Sequence, residues 1–277
     1  MKEFKLASCQ MNVVDDKEEN IGHAIELINE ASEKGANLVT LPEMFNTPYD
    51  NQKFIENAEK EKDSITLKAM CEIAKDNNIL LQSGSIAEEK NNKIYNSAYL
   101  INEQGKIIAK HRKMHMFDID TETMKFTESE TLSPGNKVTT VETSLATVSL
   151  AICYDIRFSE LWTLMNKNGS DIILLPGAFN KTTGPLHWET LIRARAIDNQ
   201  AFVVATSPSQ VENPYYVAWG HSMIVDSWGK ILAKAEKKEE IIYSEINPES
   251  IKSVREQIPI LKNKRNDVYE TILKKKS

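Results

Sequence analysis

The strongest constraint on the fold of this chain is an alternation. Three short apolar runs, "ANLVTLP" (36–42), "DIILLPG" (171–177) and "AFVVATSP" (201–208), each follow a segment whose apolar residues recur at helical spacing. Before the first run, Ile21, Ala24, Ile25, Ile28 and Ala31 repeat at steps of three and four, and Gly35 marks the stop. A run too short for a helix and apolar on both faces reads as a buried strand. Buried strands separated by amphipathic helices predict βαβ units and a parallel sheet covered by helices.

The remaining segments fit the same class. "FKLASCQMNV" (4–13) reads as a first strand. "DSITLKAMCEIAKDNN" (63–78) reads as a second amphipathic helix capped by Asp63 or Ser64. "ILLQSGSIAE", "KIYNSAYLIN" and "KIIAKHRK" are three strands, the last two joined by the turn "NEQG" (102–105). After a polar stretch (118–137), "KVTTVET" and "ATVSLAI" pair as strands. "RFSELWTLMNKNGS" and "PLHWETLIRARAIDNQ" are helices, "AWGHSMIVDSWGKILAKA" is a hairpin turning at Ser227-Trp228-Gly229, and "EIIYSEIN" is a last strand. There is no internal repeat and no flexible linker. The expectation is one α/β domain over residues 1–277, with a core at about 4–247 and a weakly periodic extension, 248–277, at the surface or at a subunit interface.

Composition narrows the function classes. With 41% hydrophobic and 27% charged residues, the chain reads as globular rather than disordered. No apolar stretch is long enough for a membrane helix, and "MKEFKLASCQMNVV" reads as a strand rather than a signal peptide. The formal charge is −6 and the basic runs "KNKR" (262–265) and "KKK" (274–276) are small, which argues against a nucleic-acid partner. Three widely spaced cysteines, Cys9, Cys71 and Cys153, with no Cys-x-x-Cys pair, argue against disulfides and a cysteine zinc site and fit a reducing cytoplasm. No phosphate loop, Gly-x-Gly-x-x-Gly, Gly-x-Ser-x-Gly or His-Glu-x-x-His motif occurs, so neither cofactor nor metal is expected.

Chemistry collects at three strand ends. Ligands of open α/β sheets sit beyond the carboxyl ends of strands. "NLVTLPEMF" ends in Glu43, "KIIAKHRKMHMFD" carries Lys113, and "VSLAICYD" carries Cys153. A thiol near pKa ~8.5 attacks as thiolate. A neighbouring glutamate can take its proton, and a lysine can favour the thiolate and stabilise an oxyanion, with the Tyr154 backbone N–H as a second donor. Each residue also has a plainer reading: Cys153 as a small core hydrophobe, Glu43 as a carboxylate at a helix N-terminus, Lys113 as one more solvated charge in "KHRK". Cys9, inside a strand, and Cys71, on a helix face with Ile65, Leu67 and Ile73, read as packing residues.

"LVTLPEMF", "HRKMHMFDID" and "AICYDIRF" resemble, in order, the glutamate, lysine and cysteine motifs of the nitrilase superfamily of carbon–nitrogen hydrolases. The resemblance spans nearly the whole chain. It implies a four-layer αββα sandwich, with Glu43 as general base, Lys113 as oxyanion stabiliser and Cys153 as nucleophile. "KFTESETLSPG" resembles the segment bearing a second glutamate, implying that Glu128 sits beside the lysine; its other reading is a surface acid in a polar loop. "TLSPG", "LPGAFNKTTGPLHWETLIRARAIDNQAFVVATSP" and "YVAWGHSMIVDSWGKILAKA" are most similar to the omega-amidase branch. That likeness implies hydrolysis of the terminal amides of 2-oxoglutaramate and 2-oxosuccinamate through a thioester, in a homodimer or higher homo-oligomer. The runner-up is another amidase of the superfamily, such as one acting on deaminated glutathione; a carbamoylase or a true nitrilase ranks below it.

Such a substrate carries a carboxylate and a keto oxygen. Arg157, four positions after Cys153, can pair a carboxylate bidentately, or can brace its own loop by an ion pair to Asp155 or Glu160. Tyr49 and Phe117 follow Glu43 and Lys113 and can wall a pocket with Tyr154. Phe179, Asn180 and Thr183, beyond a strand, join the substrate-binding candidates. His115 and His187 are possible donors, while Trp188, Arg193 and Arg195 read as packing or interface residues.

Overall fold

In the computed structural model, residues 3–120 and 125–274 are described. The chain runs β1 (Phe4–Gln10), α1 (Lys17–Glu33), β2 (Leu38–Thr40), α2 (Asn51–Asn57), α3 (Ile65–Asp76), β3 (Leu80–Lys90), β4 (Lys93–Ile101) and β5 (Ile107–Arg112). After the short pair β6 (Asp118–Asp120) and β7 (Lys125–Thr127) come β8 (Thr139–Glu142), β9 (Thr147–Leu150), α4 (Ser159–Lys167), β10 (Ile172–Pro176), α5 (Gly184–Asn199) and β11 (Phe202–Thr206). β12 (Met223–Val225), β13 (Ile231–Lys234), β14 (Glu240–Ile246) and α6 (Ser250–Gln257) complete it.

Two six-stranded sheets result, ordered β14-β1-β2-β3-β4-β5 and β13-β12-β11-β10-β9-β8. Each has a parallel centre, β1-β2-β3 and β9-β10-β11, with antiparallel strands on both sides. The anticipated βαβ units lie in those centres.

Side-chain alternation decides the layers. Ala7, Val39 and Leu81 pack with α1 and α3, whereas Leu6, Leu38 and Leu80, one residue away, pack into the core between the sheets. The second sheet repeats the arrangement. Ile173, Leu175, Val203 and Ala205 pack under α4 and α5 with Trp162 and Trp188, while Ile172, Leu174, Phe202 and Val204 meet the first sheet. Three cores separate four layers, α-β-β-α. The central strands are buried on both faces, which is why they read as unbroken apolar runs.

The caps follow the sequence. Asp16 Oδ1 accepts from the Glu19 N–H at 3.0 Å and starts α1, and Ser64, rather than Asp63, caps α3 through the Leu67 N–H at 2.9 Å. α4 begins at Ser159 instead of Arg157, because Cys153–Arg157 forms a separate 3-10 turn. α2 and α6 carry only one and two buried residues, too few to show a period. Beyond α6 the segment is largely exposed at Val268, Tyr269, Ile272 and Leu273, although Lys167 Nζ holds Glu270 and the Thr271 carbonyl. Among the described residues no helix is long and apolar enough to cross a membrane.

Candidate active site

β2, β5 and β9 end on the same side of the sandwich, each one to three residues before a functional side chain. Beyond β2 the chain turns at Pro42, and β3 presses against that turn. A Cβ on Gly84, whose φ is +66°, would lie 2.4 Å from the Pro42 carbonyl oxygen, so the approach requires glycine. The Ser85 N–H donates to that carbonyl and Ser85 Oγ accepts from the Met44 N–H, which fixes Glu43 between them.

Glu43 is fully buried and held by donors on both oxygens. Oε1 accepts from Asn96 Nδ2 (2.8 Å), Lys113 Nζ (3.0 Å) and the Tyr49 hydroxyl (3.3 Å), and Oε2 accepts from the Ala178 N–H (2.9 Å). Lys113, immediately after β5, is anchored on both backbone sides: its N–H donates to the Asn96 carbonyl and its carbonyl accepts from the Gly135 N–H. Its Nζ also donates to Glu128 Oε1 (2.8 Å) and the Tyr49 oxygen (3.0 Å). Glu128 is buried, not a surface acid. Its Oε2 accepts from the Phe117 N–H at 2.6 Å and its Oε1 from the Tyr49 hydroxyl at 2.9 Å.

Two carboxylates and one ammonium thus share a water-poor site. Burial raises the Glu43 pKa above the ordinary glutamate range; Lys113 opposes this and the Glu128 charge adds to it. Burial alone would lower the lysine, but Glu128 and Glu43 outweigh it, so Lys113 stays charged.

The Cys153 thiol lies beside the Glu43 carboxylate, which disfavours the thiolate, and the Ala178 N–H, which favours it. Its φ of +43° places a non-glycine residue in the left-handed region, a conformation that surrounding structure must hold. Burial and the Glu43 charge push the thiol well above its ordinary pKa, and Lys113 only partly offsets them. Lys113 acts on the thiol in the direction that favours the thiolate. The thiol lies beside the carboxylate that can take its proton during attack. Cys9 is buried with a raised pKa, and Cys71 is partly buried on α3.

A cavity of about 450 Å³ opens on this cluster, with Glu43, Tyr49, Ala178 and Tyr216 among its lining residues. The other substrate candidates do not line it. Tyr49 lies on the wall, but its hydroxyl is engaged by the charged cluster. Phe117 and Phe158 pack edge-on against the Tyr154 ring at 5.2 and 5.5 Å. Arg157 carries its guanidinium over the Tyr154 and Phe179 rings, at 5.5 and 5.0 Å, and faces His187 Nδ1 at 3.2 Å. Its Nε is buried with no hydrogen-bond partner among the described residues. The expected ion pair to Asp155 or Glu160 is not what braces this loop, since Asp155 is held by His111 and His115. Asn180 Oδ1 accepts from the N–H groups of Thr182 and Thr183 and from Thr183 Oγ1, shaping the turn into α5. Trp188 packs on Phe179, Arg193 donates to the Gly229 carbonyl, and Arg195 donates to the Ile156 carbonyl.

Sequence reading missed Asn96, the Ala178 N–H and Tyr216, whose hydroxyl donates to the Ala178 carbonyl at 2.5 Å. Asn96 left one signal: an amide inside the otherwise alternating strand "KIYNSAYLIN". A main-chain donor and a loop tyrosine leave none.

This sandwich, with its reactive groups just beyond the ends of β2, β5 and β9, is one that a known family shares. The carbon-nitrogen hydrolase family model matches residues 5–256, and the chain belongs to that family, within the nitrilase superfamily. It is an enzyme class acting on carbon–nitrogen bonds of amides. Among curated relatives, the omega-amidase of Mus musculus is 46% identical over 276 residues, 99% of this chain and 100% of that one. Nitrilase homolog 2 of Dictyostelium discoideum is 47% identical, covering 97% of this chain and 83% of that one. Among solved structures, Nit3 of Saccharomyces cerevisiae, a member of branch 10 of the superfamily, superposes with a TM-score of 0.88 at 40% identity, over 96% of this chain and 97% of that one.

Proposed function

We propose that this protein is an omega-amidase that hydrolyses the terminal amide of 2-oxo dicarboxylate monoamides, 2-oxoglutaramate and 2-oxosuccinamate, to the 2-oxo acid and ammonia. Near-full-length likeness to curated omega-amidases supports the activity. The single observation that carries the chemistry is the buried Glu43 carboxylate, in contact with both the Cys153 thiol and the Lys113 ammonium.

In the proposed reaction Glu43 takes the Sγ proton as sulfur bonds to the amide carbon. The carbonyl electrons move to oxygen, where Lys113 and the Tyr154 N–H stabilise the oxyanion. As the oxyanion collapses, the C–N bond breaks and Glu43 returns the proton to nitrogen, releasing ammonia and leaving a thioester. Glu43 then takes a proton from water, whose oxygen attacks the thioester. The C–S bond breaks and the proton returns to Cys153. Asn96 and the Ala178 N–H hold the base on line throughout. Glu128 and Tyr49 hold the lysine.

Because the base must be ionised, activity rises with pH through the Glu43 pKa. Burial has moved that pKa upward. The acid limb of kcat/KM is therefore expected above the ordinary glutamate value of ~4.3, and a limb at or below that value would contradict the assignment.

For the substrate carboxylate we propose Arg157, which is not among the lining residues of the cavity of about 450 Å³ and would meet the substrate from the side of the Tyr154 and Phe179 rings. The support is its buried, unpartnered Nε and a guanidinium oriented by two rings, four residues from the thiol. Arg157→Met should raise KM for 2-oxoglutaramate by about 10- to 100-fold, the loss of roughly 1.5–3 kcal/mol expected for a hydrogen bond to a charged group. KM for an uncharged short amide should change little. Ammonia release from 2-oxoglutaramate, deaminated glutathione, an N-carbamoyl amino acid and a simple nitrile decides the substrate. Preference for a member other than 2-oxoglutaramate would move the substrate assignment.

We further propose a single domain acting in the cytoplasm as a homodimer or higher homo-oligomer. Exposed Val268, Tyr269, Ile272 and Leu273 in the C-terminal segment support a subunit contact there. Sedimentation giving a monomer at micromolar concentration would overturn it.

A further inference from the structure

We infer that Asp155 is a positioning residue whose buried carboxylate ties the turn carrying Cys153 to the segment carrying Lys113. This rests on the reading of Cys153 and Lys113 as the reacting groups. Asp155 is fully buried, and its two oxygens take five donors from three parts of the chain. Oδ2 accepts from the Ile152 N–H (3.0 Å), one residue before the cysteine, and from His111 Nε2 (3.0 Å). Oδ1 accepts from the N–H groups of Met114 and His115 (both 3.1 Å), directly after the lysine, and from His115 Nδ1 (2.7 Å).

The placement meets two needs. First, Cys153 sits in the left-handed region, and the Ile152 N–H to Asp155 bond closes the turn across it. A left-handed cysteine with that bond lost can relax toward φ < 0, which would swing its thiol off Glu43. Second, β5 and β9 belong to different sheets. The distance between Nζ and Sγ therefore depends on what joins their ends, and a carboxylate accepting backbone donors from both sides is such a joint. Charge assistance makes those bonds stronger than neutral ones. The rest of the turn is braced too: the Trp162 indole donates to the Asp155 carbonyl at 3.0 Å, and the His115 ring stacks on Phe158 at 3.6 Å. Asp155 is fully buried and both its oxygens are taken up by the five donors, so it acts through its neighbours rather than on the substrate.

The test is Asp155→Asn, nearly isosteric but neutral, compared with wild type and Cys153→Ala. Active sites are counted by peptide mapping after alkylation with chloroacetamide. Positioning predicts kcat per competent site lowered by ~10²-fold with KM within about threefold, since a 1 Å misplacement of reacting groups has an effect of that size. Chloroacetamide labelling of Cys153 in the folded protein should also slow by about tenfold or more, because Glu43 no longer meets the thiol. A merely structural role would reduce the number of competent sites and leave both per-site rates unchanged, and that result overturns the inference. If Asp155→Asn does not fold, His115→Leu, which removes one of the five donors, decides: per-site kcat and labelling rate at wild-type level would overturn it equally. If wild type shows no Cys153-dependent amide hydrolysis, the reading of the site fails by itself, and the labelling rate still judges Asp155.

Discussion

Cys153→Ala protein is expected to release ammonia from 2-oxoglutaramate at least ~10⁴-fold more slowly than wild type while keeping its fold. The activity loss follows because, among the described residues, no other thiol lies in contact with Glu43. Tyr49 shares the cluster, but burial and the neighbouring Glu128 and Glu43 charges push its hydroxyl well above its ordinary pKa. The fold should survive for two reasons. Alanine bears the same Cβ as cysteine, so the backbone at φ +43° is no more strained than before. Losing one buried sulfur leaves a small void, worth about 1–2 kcal/mol, or roughly 5 °C in Tm for a chain of this size. Ammonia assays and thermal melts on the same preparation check both halves. Near-wild-type turnover in the variant would end the assignment of Cys153, whatever the melt shows.

Lys113→Met should have the largest effect on stability as well as a severe one on activity. The substitution keeps an unbranched side chain only one atom shorter and removes the only cation within hydrogen-bond distance of Glu43 and Glu128 among the described residues. Two buried carboxylates then face each other without a counter-charge. Removing one partner of a buried ion pair costs about 3–5 kcal/mol, which corresponds to a Tm lower by roughly 10 °C. The site can relieve the repulsion by binding a proton, which disables the base at neutral pH. With the oxyanion also losing its ammonium, kcat/KM should fall by ~10³-fold or more. Lys113→Met combined with Glu128→Gln separates the two effects. Dropping one negative charge should restore part of the Tm, through a coupling of about 1–3 kcal/mol, and none of the activity. Strictly additive melting temperatures would show that the three charges do not form one unit.

Much of the fold was readable before any coordinates. The strands at 36–42, 171–177 and 201–208 are buried on both faces by a helix layer and a facing sheet, and such burial writes itself as an unbroken apolar run. α1 and α3 each bury one stripe and so show a period of 3.6. α2 shows none, because in seven residues only Phe54 is buried. α5 is helical with its apolar stripe blurred, since Arg195 is buried at 9% exposure and Leu186 stands 71% exposed.

The site divides along the same line. Glu43 and Cys153 are visible because each closes an apolar run just beyond a strand, whereas Lys113, inside the polar run "KHRK", stands out only by its place after a strand. Glu128 had no such position: the pattern around it is polar throughout, and only the family likeness marked it. By itself, then, the sequence determined the α/β class, the order of the elements and which three strand ends carry reactive groups, since all of these depend on patterns a few residues long. Tertiary structure alone decided that Lys113 Nζ meets Glu43 Oε1 at 3.0 Å and that the second sheet brings Cys153 to the same carboxylate. It decided that burial raises the Glu43 pKa and pushes the Cys153 thiol up, and that Asn96 and the Ala178 N–H hold the Glu43 carboxylate. The physical reason is that charge interaction and desolvation depend on distance and water exclusion between residues up to 135 positions apart, such as Glu43 and Ala178, and no local pattern records those.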